Sequence, residues 1–346
     1  MATYWVDVDS PSEASPYDTQ AKAAHTLATI LAIPPAAGDV IYCCAGASVG
    51  ETIAAELDIA SSGTNADGFI KLIGCNSSGV VDGTRYIIDA NSAGINCIDL
   101  NGHDELWFEN IEVKSTGAGA YHGFYNSTGA NSGLVFINCC ANNCGGSGFS
   151  VINYSFFFRC VAYLNTSHGF NEGNSARYTL CASRDNSGAG WYFATSHTTC
   201  IGCVSHGNTD DGFSYPGLNS YFMNCVIDGN GDDGIFVWGV SDPYPSIVLG
   251  CRITNQAGAG DIGLDCSSES VVYGFNYFED NNTNIANATI AQVIPLEGGS
   301  IDSNDADNAD TNEGYAEAVA NNNFATGYVD GTDPTLRRTA ITIPWS

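Results

Sequence analysis

The chain has 346 residues, 38 of them Asp or Glu and 10 Lys or Arg, for a net charge of −28. A surface this acidic argues against nucleic acid and anionic membranes as partners, because both carry the same sign. Forty glycines and only 14% charged residues suit a turn-rich β protein, and no run of about 18 apolar residues is there to span a membrane.

Residues 4–8 read as a short strand and 11–18 as a turn-rich link. Residues 18–32 form the one helical stretch, with Ala24, Leu27, Ala28 and Leu31 on one face and Pro34-Pro35 ending it. Residues 1–38 are thus expected to be a strand and a capping helix. The first nine residues lack the basic region and apolar run of a secretory signal. The expectation is cytoplasmic synthesis, then a place on a virion surface or outside a cell by another route. From 39 to 135, short β-type runs at 70–73, 86–88, 95–98 and 106–108 alternate with turn residues. Gly94, Gly123 and Gly148 lie 29 and 25 apart, so the turns here are long.

Over residues 136–236 one pattern is written five times: Cys, four residues, Asn, three residues, Gly, then a large apolar residue. It reads Cys160, Asn165, Gly169, Phe170, and recurs from Cys181, Cys203 and Cys225. An earlier copy, from Cys139, puts Cys144 where the Asn belongs. Successive Cys positions are 21, 21, 22 and 22 residues apart, a period that means a solenoid. No unit has room for a helix of ten residues, so each coil is built of strands and turns, and equivalent residues stack at about 4.8 Å. Three columns follow. Cys139, Cys160, Cys181, Cys203, Cys225 and Cys251 form one, read as buried thiols because Cys packs as a small apolar residue. Two residues earlier, Ile137, Phe158, Thr179, Ile201, Met223, Leu249 and Phe275 read as a second inward column. The residues after the Gly, from Phe124 to Leu264, read as a third. Asn165, Asn186, Asn208 and Asn230, with Asn282 in a weaker coil, read as an amide ladder.

These units resemble the right-handed parallel β-helix repeat proteins of the pectate-lyase-like superfamily, across residues 39–285. The resemblance implies an all-β, single right-handed parallel β-helix of about nine or ten coils of 21–29 residues. The N-terminal helix would close its first end. Residues 286–346 are an acidic extension expected to pack along or between solenoids, and its last stretch, 321–346, is similar to the exit segments of such proteins.

Two polar constellations carry candidate chemistry. Asp210-Asp211 and Asp232-Asp233 sit 22 residues apart, so four carboxylates stack. They read as solvated turn residues, as a Ca²⁺ site or as a glycosidase carboxylate pair, with Asp211 and Asp233 as catalytic candidates. Three residues after the Cys column, Tyr163, Arg184, His206 and Asp228 form an outward row. It offers a base, a charge neutraliser and an acid, or else a surface ladder. No cofactor is required, with Ca²⁺ the one candidate. Tyr192, Tyr215 and Trp238 are candidates for stacking on sugar rings. The superfamily's lyases set such carboxylates beside Lys or Arg, whereas the three lysines here, Lys22, Lys71 and Lys114, all precede the regular coils. The expectation from these residues is a virion spike, fibre or decoration protein, a homotrimer contacting other virion proteins and able to bind host glycans. A polysaccharide lyase or glycosidase is the alternative, and a bacterial adhesin the third.

Overall fold

The computed structural model describes residues 1–294, apart from 46–49, 127–132, 152–153, 174, 194–196, 216–219, 238–245, 257–260, 267–269 and 287–289. Three parallel sheets, here A, B and C, hold twelve, ten and ten strands among the described residues. Each coil contributes one strand to each sheet in turn, as with Arg177–Thr179, Ala182–Arg184 and Trp191–Phe193. The pairing register keeps like residues above one another: Phe149, Phe170 and Trp191 are direct neighbours, as are Tyr163 and Arg184. This is the parallel β-helix that the repeat implies.

The corner between sheets A and B explains one departure from the sequence reading. The residue just before each column Cys has left-handed backbone: Asn138, Arg159, Leu180, Gly202, Asn224 and Gly250, with φ between 50° and 64°. One such residue breaks the two-residue alternation of side chains. The column Ile137 to Leu249 therefore faces outward, with Ile201 37% exposed, and Phe275 falls on the corner itself, with φ 61°, while Gly274 pairs with Leu249. The inward column lies one residue earlier: Phe136, Phe157, Tyr178, Cys200, Phe222 and Val248, all fully buried.

Stacked rings fill the core. Phe124, Phe149, Phe170, Trp191 and Phe213 form one pile with centroids 4.4–5.1 Å apart. Phe108, Phe136, Phe157 and Tyr178 form a second, 4.8–5.1 Å apart. The piles meet edge to face, as at Phe136 and Phe149, 80° between planes, an arrangement the ring quadrupole favours. The six cysteines of the column are buried and unbridged.

The amide ladder is present. The Asn165, Asn186 and Asn208 side-chain amides each donate to the Oδ1 of the next rung, at 2.9, 2.8 and 2.9 Å. The same Oδ1 accepts the backbone N–H of the rung before it. Beyond Asn230 the rung is Gln256 and then Asn281, not Asn282. The five-residue spacing is kept, from Cys251 to Gln256 and from Asn276 to Asn281, but Gln replaces one Asn and Asn276 replaces the last Cys. Gly169 lies against this ladder. A Cβ there would meet Ser183 Oγ at 2.0 Å and the Gly190 carbonyl oxygen at 2.7 Å, so only Gly fits.

The first end is closed by less helix than expected. Residues 18–32 give a single 3₁₀ turn, Gln20–Lys22, and a five-residue α-helix, Leu27–Leu31. Between them Ala24 bridges to Val6, donating to the Trp5 carbonyl and accepting from the Asp7 N–H. Covering the open edge of the first strand, Thr3–Asp7, costs the helix its first two turns. Thr26 then caps the remainder by accepting the Thr29 N–H, and Leu27, Ile30 and Leu31 turn inward while Ala28 stays exposed. At the other end, strands Thr283–Ala286 and Ile290–Ile294 continue sheets C and A. The acidic extension from 295 to 346 lies outside the described residues.

Candidate carboxylate site at the entry to sheet C

In each coil the residue before the repeat Gly stands where the chain enters sheet C. In several coils its backbone N–H is met by a side chain of the coil before. His122 Nδ1 accepts from the Ser147 N–H at 2.9 Å and His168 Nδ1 from Ala189 at 3.0 Å. Asp211 Oδ1 accepts from Asp233 at 3.1 Å, and Asp233 Oδ1 from Ile262 at 2.9 Å. This ladder was legible as the residue before each Gly, yet sequence reasoning passed over its histidines. An accepting Nδ1 requires neutral imidazole, and burial holds both histidines below their ordinary pKa.

The same position buries Asp211 and Asp233, 6% and 7% exposed. Burial pushes the Asp211 carboxyl up to about 7, against a hydrogen bond from Ser214 and with help from the charges of Asp210 and Asp232. Burial likewise pushes Asp233 up to about 8, aided by Asp211, Asp232 and Asp265. Desolvation outweighs the like-charge repulsion anticipated from the stacking. Asp232, exposed, is also raised, by partial burial and then by Asp261, Asp210 and Asp265. Carboxylate oxygens of Asp210, Asp211 and Asp232 lie within 4.8 Å of one another. The structure thus brings the four predicted aspartates together and adds Asp261 and Asp265 around them.

The row Tyr163, Arg184, His206, Asp228 is also in register, at the ends of sheet B strands. Its groups engage each other. The Arg184 guanidinium lies 4.4 Å from the Tyr163 ring centroid and pairs with Asp185 at 3.1 Å. His206 Nδ1 sits 3.2 Å from Asp228 Oδ2, and Thr254 and Asn255 both donate to Asp228 Oδ1 at 2.7 Å. Burial pushes Asp228 up, but Asn255, Thr254 and His206 outweigh it and hold the carboxyl below its ordinary value. Tyr163 is raised by burial, so it is a poor base. The row behaves as a surface ladder, set apart from the aspartates by the Asn rung between them.

Other polar features surround these. Tyr192 lies on the outer face of sheet C, stacked on His168 with centroids 4.8 Å apart. Tyr215 is in a strand whose side chain there is not described, and Trp238 lies outside the described residues. A second carboxylate group, Glu56, Asp58 and Asp99, was missed because its coils lack the regular period. An open groove of about 500 Å³, lined by Ser92, Ser115, Asn143 and Thr166 among others, runs across four coils at the corner between sheets B and C.

No protein-family model matches the sequence, and no curated protein does. Solved structures do match in shape. Pectate lyase Pel9A is similar over 88% of this chain and 80% of its own, at 14% identity and a TM-score of 0.61. The fold is that of the pectate-lyase-like right-handed parallel β-helix. A rhamnogalacturonan lyase aligns over 83% of this chain and 74% of its own, with 15% identity and a TM-score of 0.49. The A-module of mannuronan C-5 epimerase AlgE6 from Azotobacter vinelandii covers 74% and 71%, with 15% identity and a TM-score of 0.47.

Proposed function

We propose that the chain is a glycan-acting β-helix, a glycoside hydrolase whose reacting groups are the aspartates at the entry to sheet C. One observation supports this most: two buried carboxyls with raised pKa stand beside carboxylates that reach solvent. Hydrolysis of a glycosidic bond needs that pair, a protonated acid for the leaving oxygen and an ionised partner. The spacing within 4.8 Å falls with the roughly 5 Å separation of retaining enzymes rather than the ~6.5–9.5 Å that holds a water between acid and base. In this reading Asp211 gives its proton to the leaving oxygen while the Asp232 carboxylate attacks the anomeric carbon. Asp211 then takes a proton from the water that releases the sugar.

The charge selects the substrate class. The groups that shift these aspartates are carboxylates, Ser214 and main-chain amides, with no Lys or Arg among them. Without a bound cation a uronic acid chain is repelled there, and no Lys or Arg is among these groups to serve as the base or charge neutraliser of a β-elimination. A neutral glycan, stacking on Tyr192, fits better. The alternative use of the same oxygens is a Ca²⁺ site. Asp210, Asp211 and Asp232 would supply three of the six to eight oxygens that ion takes. A spike on a virion would use such a site equally well, so that expectation stands as a proposal about setting, to be tested by which genes flank this one.

The experiment is a reducing-sugar assay on a panel of neutral and uronic polysaccharides, with and without chelator, alongside an assay for unsaturated uronate. Hydrolysis of a neutral glycan that resists chelator and disappears in Asp211→Asn and Asp232→Asn supports the reading. Unsaturated products, or turnover indifferent to both substitutions, overturn it.

A further inference from the structure

The outer surface of sheets A and B, with the corner between them, departs from the rest of the molecule in charge. Segments 134–142, 155–163, 177–184, 199–206, 221–228 and 246–254 make this surface over six successive coils. They contain four arginines, Arg159, Arg177, Arg184 and Arg252, and a single carboxylate, Asp228. An even spread of the chain's 38 acidic residues would put about six there. The one that is present is held by His206, Thr254 and Asn255.

The same surface is apolar. Phe156, Leu180, Ile201, Val204 and Tyr221 are 37%, 51%, 37%, 39% and 38% exposed. They are neighbours because the corner turns the column from Ile137 outward, beside the first residues of the sheet B strands. Six coils at ~4.8 Å give a length of ~29 Å, and the two strands with their corner a width of ~25 Å. The resulting ~700 Å² per face approaches the ~800 Å² per partner of a standard stable interface.

We propose that this face is the contact between copies of the chain, packed with their solenoid axes aligned. The chain's own charge argues for a second copy as the occupant. With a net charge of −28, two copies repel wherever their acidic surfaces meet. This is the surface on which six coils can approach with almost no carboxylate in the contact. Straight rows at the strand spacing match another set of their kind, and closed symmetry uses the same patch on each copy. No cation bridge is needed, unlike the divalent-ion-dependent contact that the net charge alone suggests.

Light scattering on the full chain after size-exclusion chromatography, at 1–100 µM protein with and without EDTA, tests this. The expected mass is a multiple of 36.3 kDa, unchanged by EDTA. Leu180→Asp with Ile201→Asp is expected to give a monomer with an unaltered circular-dichroism spectrum. Val204→Lys serves as a second variant should the first fold poorly, and Thr166→Asp, at the corner between sheets B and C, should leave the mass unchanged. A wild-type monomer at 100 µM overturns the proposal, as does an assembly that survives both face variants. A wild-type monomer whose melting temperature falls in the face variants also overturns it, and would mean the chain covers this face itself.

Discussion

Two buried residues at the proposed site, Asp211 and Asp233, have raised pKa values, the first with consequences for activity and the second for stability. As the proton donor, Asp211 must be neutral, so turnover should fall as pH rises through about 7. On the acid side it should fall as Asp232 takes up a proton. Asp211→Asn should lower kcat on the order of a hundredfold or more and remove the alkaline limb of the pH profile. The stability effect runs in a definite direction. Folding lifts Asp233 from 3.8 to about 8, so the folded state holds a proton that the unfolded chain has lost between those values. That contribution is fully present below pH 4 and lost as pH rises towards 8. Thermal melts should therefore show Asp233→Asn matching the parent near pH 4 and exceeding it at pH 8.5, by several kcal/mol and at most about 5. Equal stability of the two at both pH values would mean that Asp233 is not buried as a neutral acid.

At the scale of the coil, side-chain ladders decide which residue sits where. The Asn208 amide donates to Asn230 Oδ1 and Ser205 Oγ, its Oδ1 accepts two bonds, and the residue is 2% exposed. Asn208→Ala should cost about 2–4 kcal/mol in denaturant unfolding, since it leaves the Asn186 N–H and amide unmet. The opposite change is available one rung on. Asn230 Nδ2 is buried with no acceptor where Gln256 interrupts the ladder. Gln256→Asn should supply one and gain about 1 kcal/mol. The ladder, the Cys column and the ring pile after each Gly were legible in the sequence because the period there is 21 or 22 residues and each column holds one residue type. The second inward column was misplaced by one residue because a lone left-handed turn, taken by Asn, Arg, Leu or Gly alike, has no sequence signature. The N-terminal helix was overestimated for a different reason. Its apolar spacing is genuine, but an unpaired strand edge competes for Ala24 and wins. The four aspartates were visible as a stack, whereas their burial depends on the turn into sheet C, which no single coil reveals.

The whole molecule is a stack of coils whose interior holds fourteen cysteines, all buried. Desolvation raises the pKa of thiols such as Cys160 and Cys200, so they are poor nucleophiles as well as hidden ones. Thiol titration of the folded protein should find few reactive groups, and close to the full complement after denaturation. A folded chain that reacts fully would mean the coils open on the timescale of the assay. The rungs also have a direction. Each rung's backbone N–H, from Asn165 onward, is satisfied by an amide oxygen 21 to 26 residues later in the chain. On a ribosome, then, a coil that has already emerged stays one bond short until its successor arrives. The nascent chain always ends in an unfinished turn, with the finished ones behind it. Pausing within the regular coils would hold that turn open, and adding or removing a complete repeat would leave every other turn finished as before.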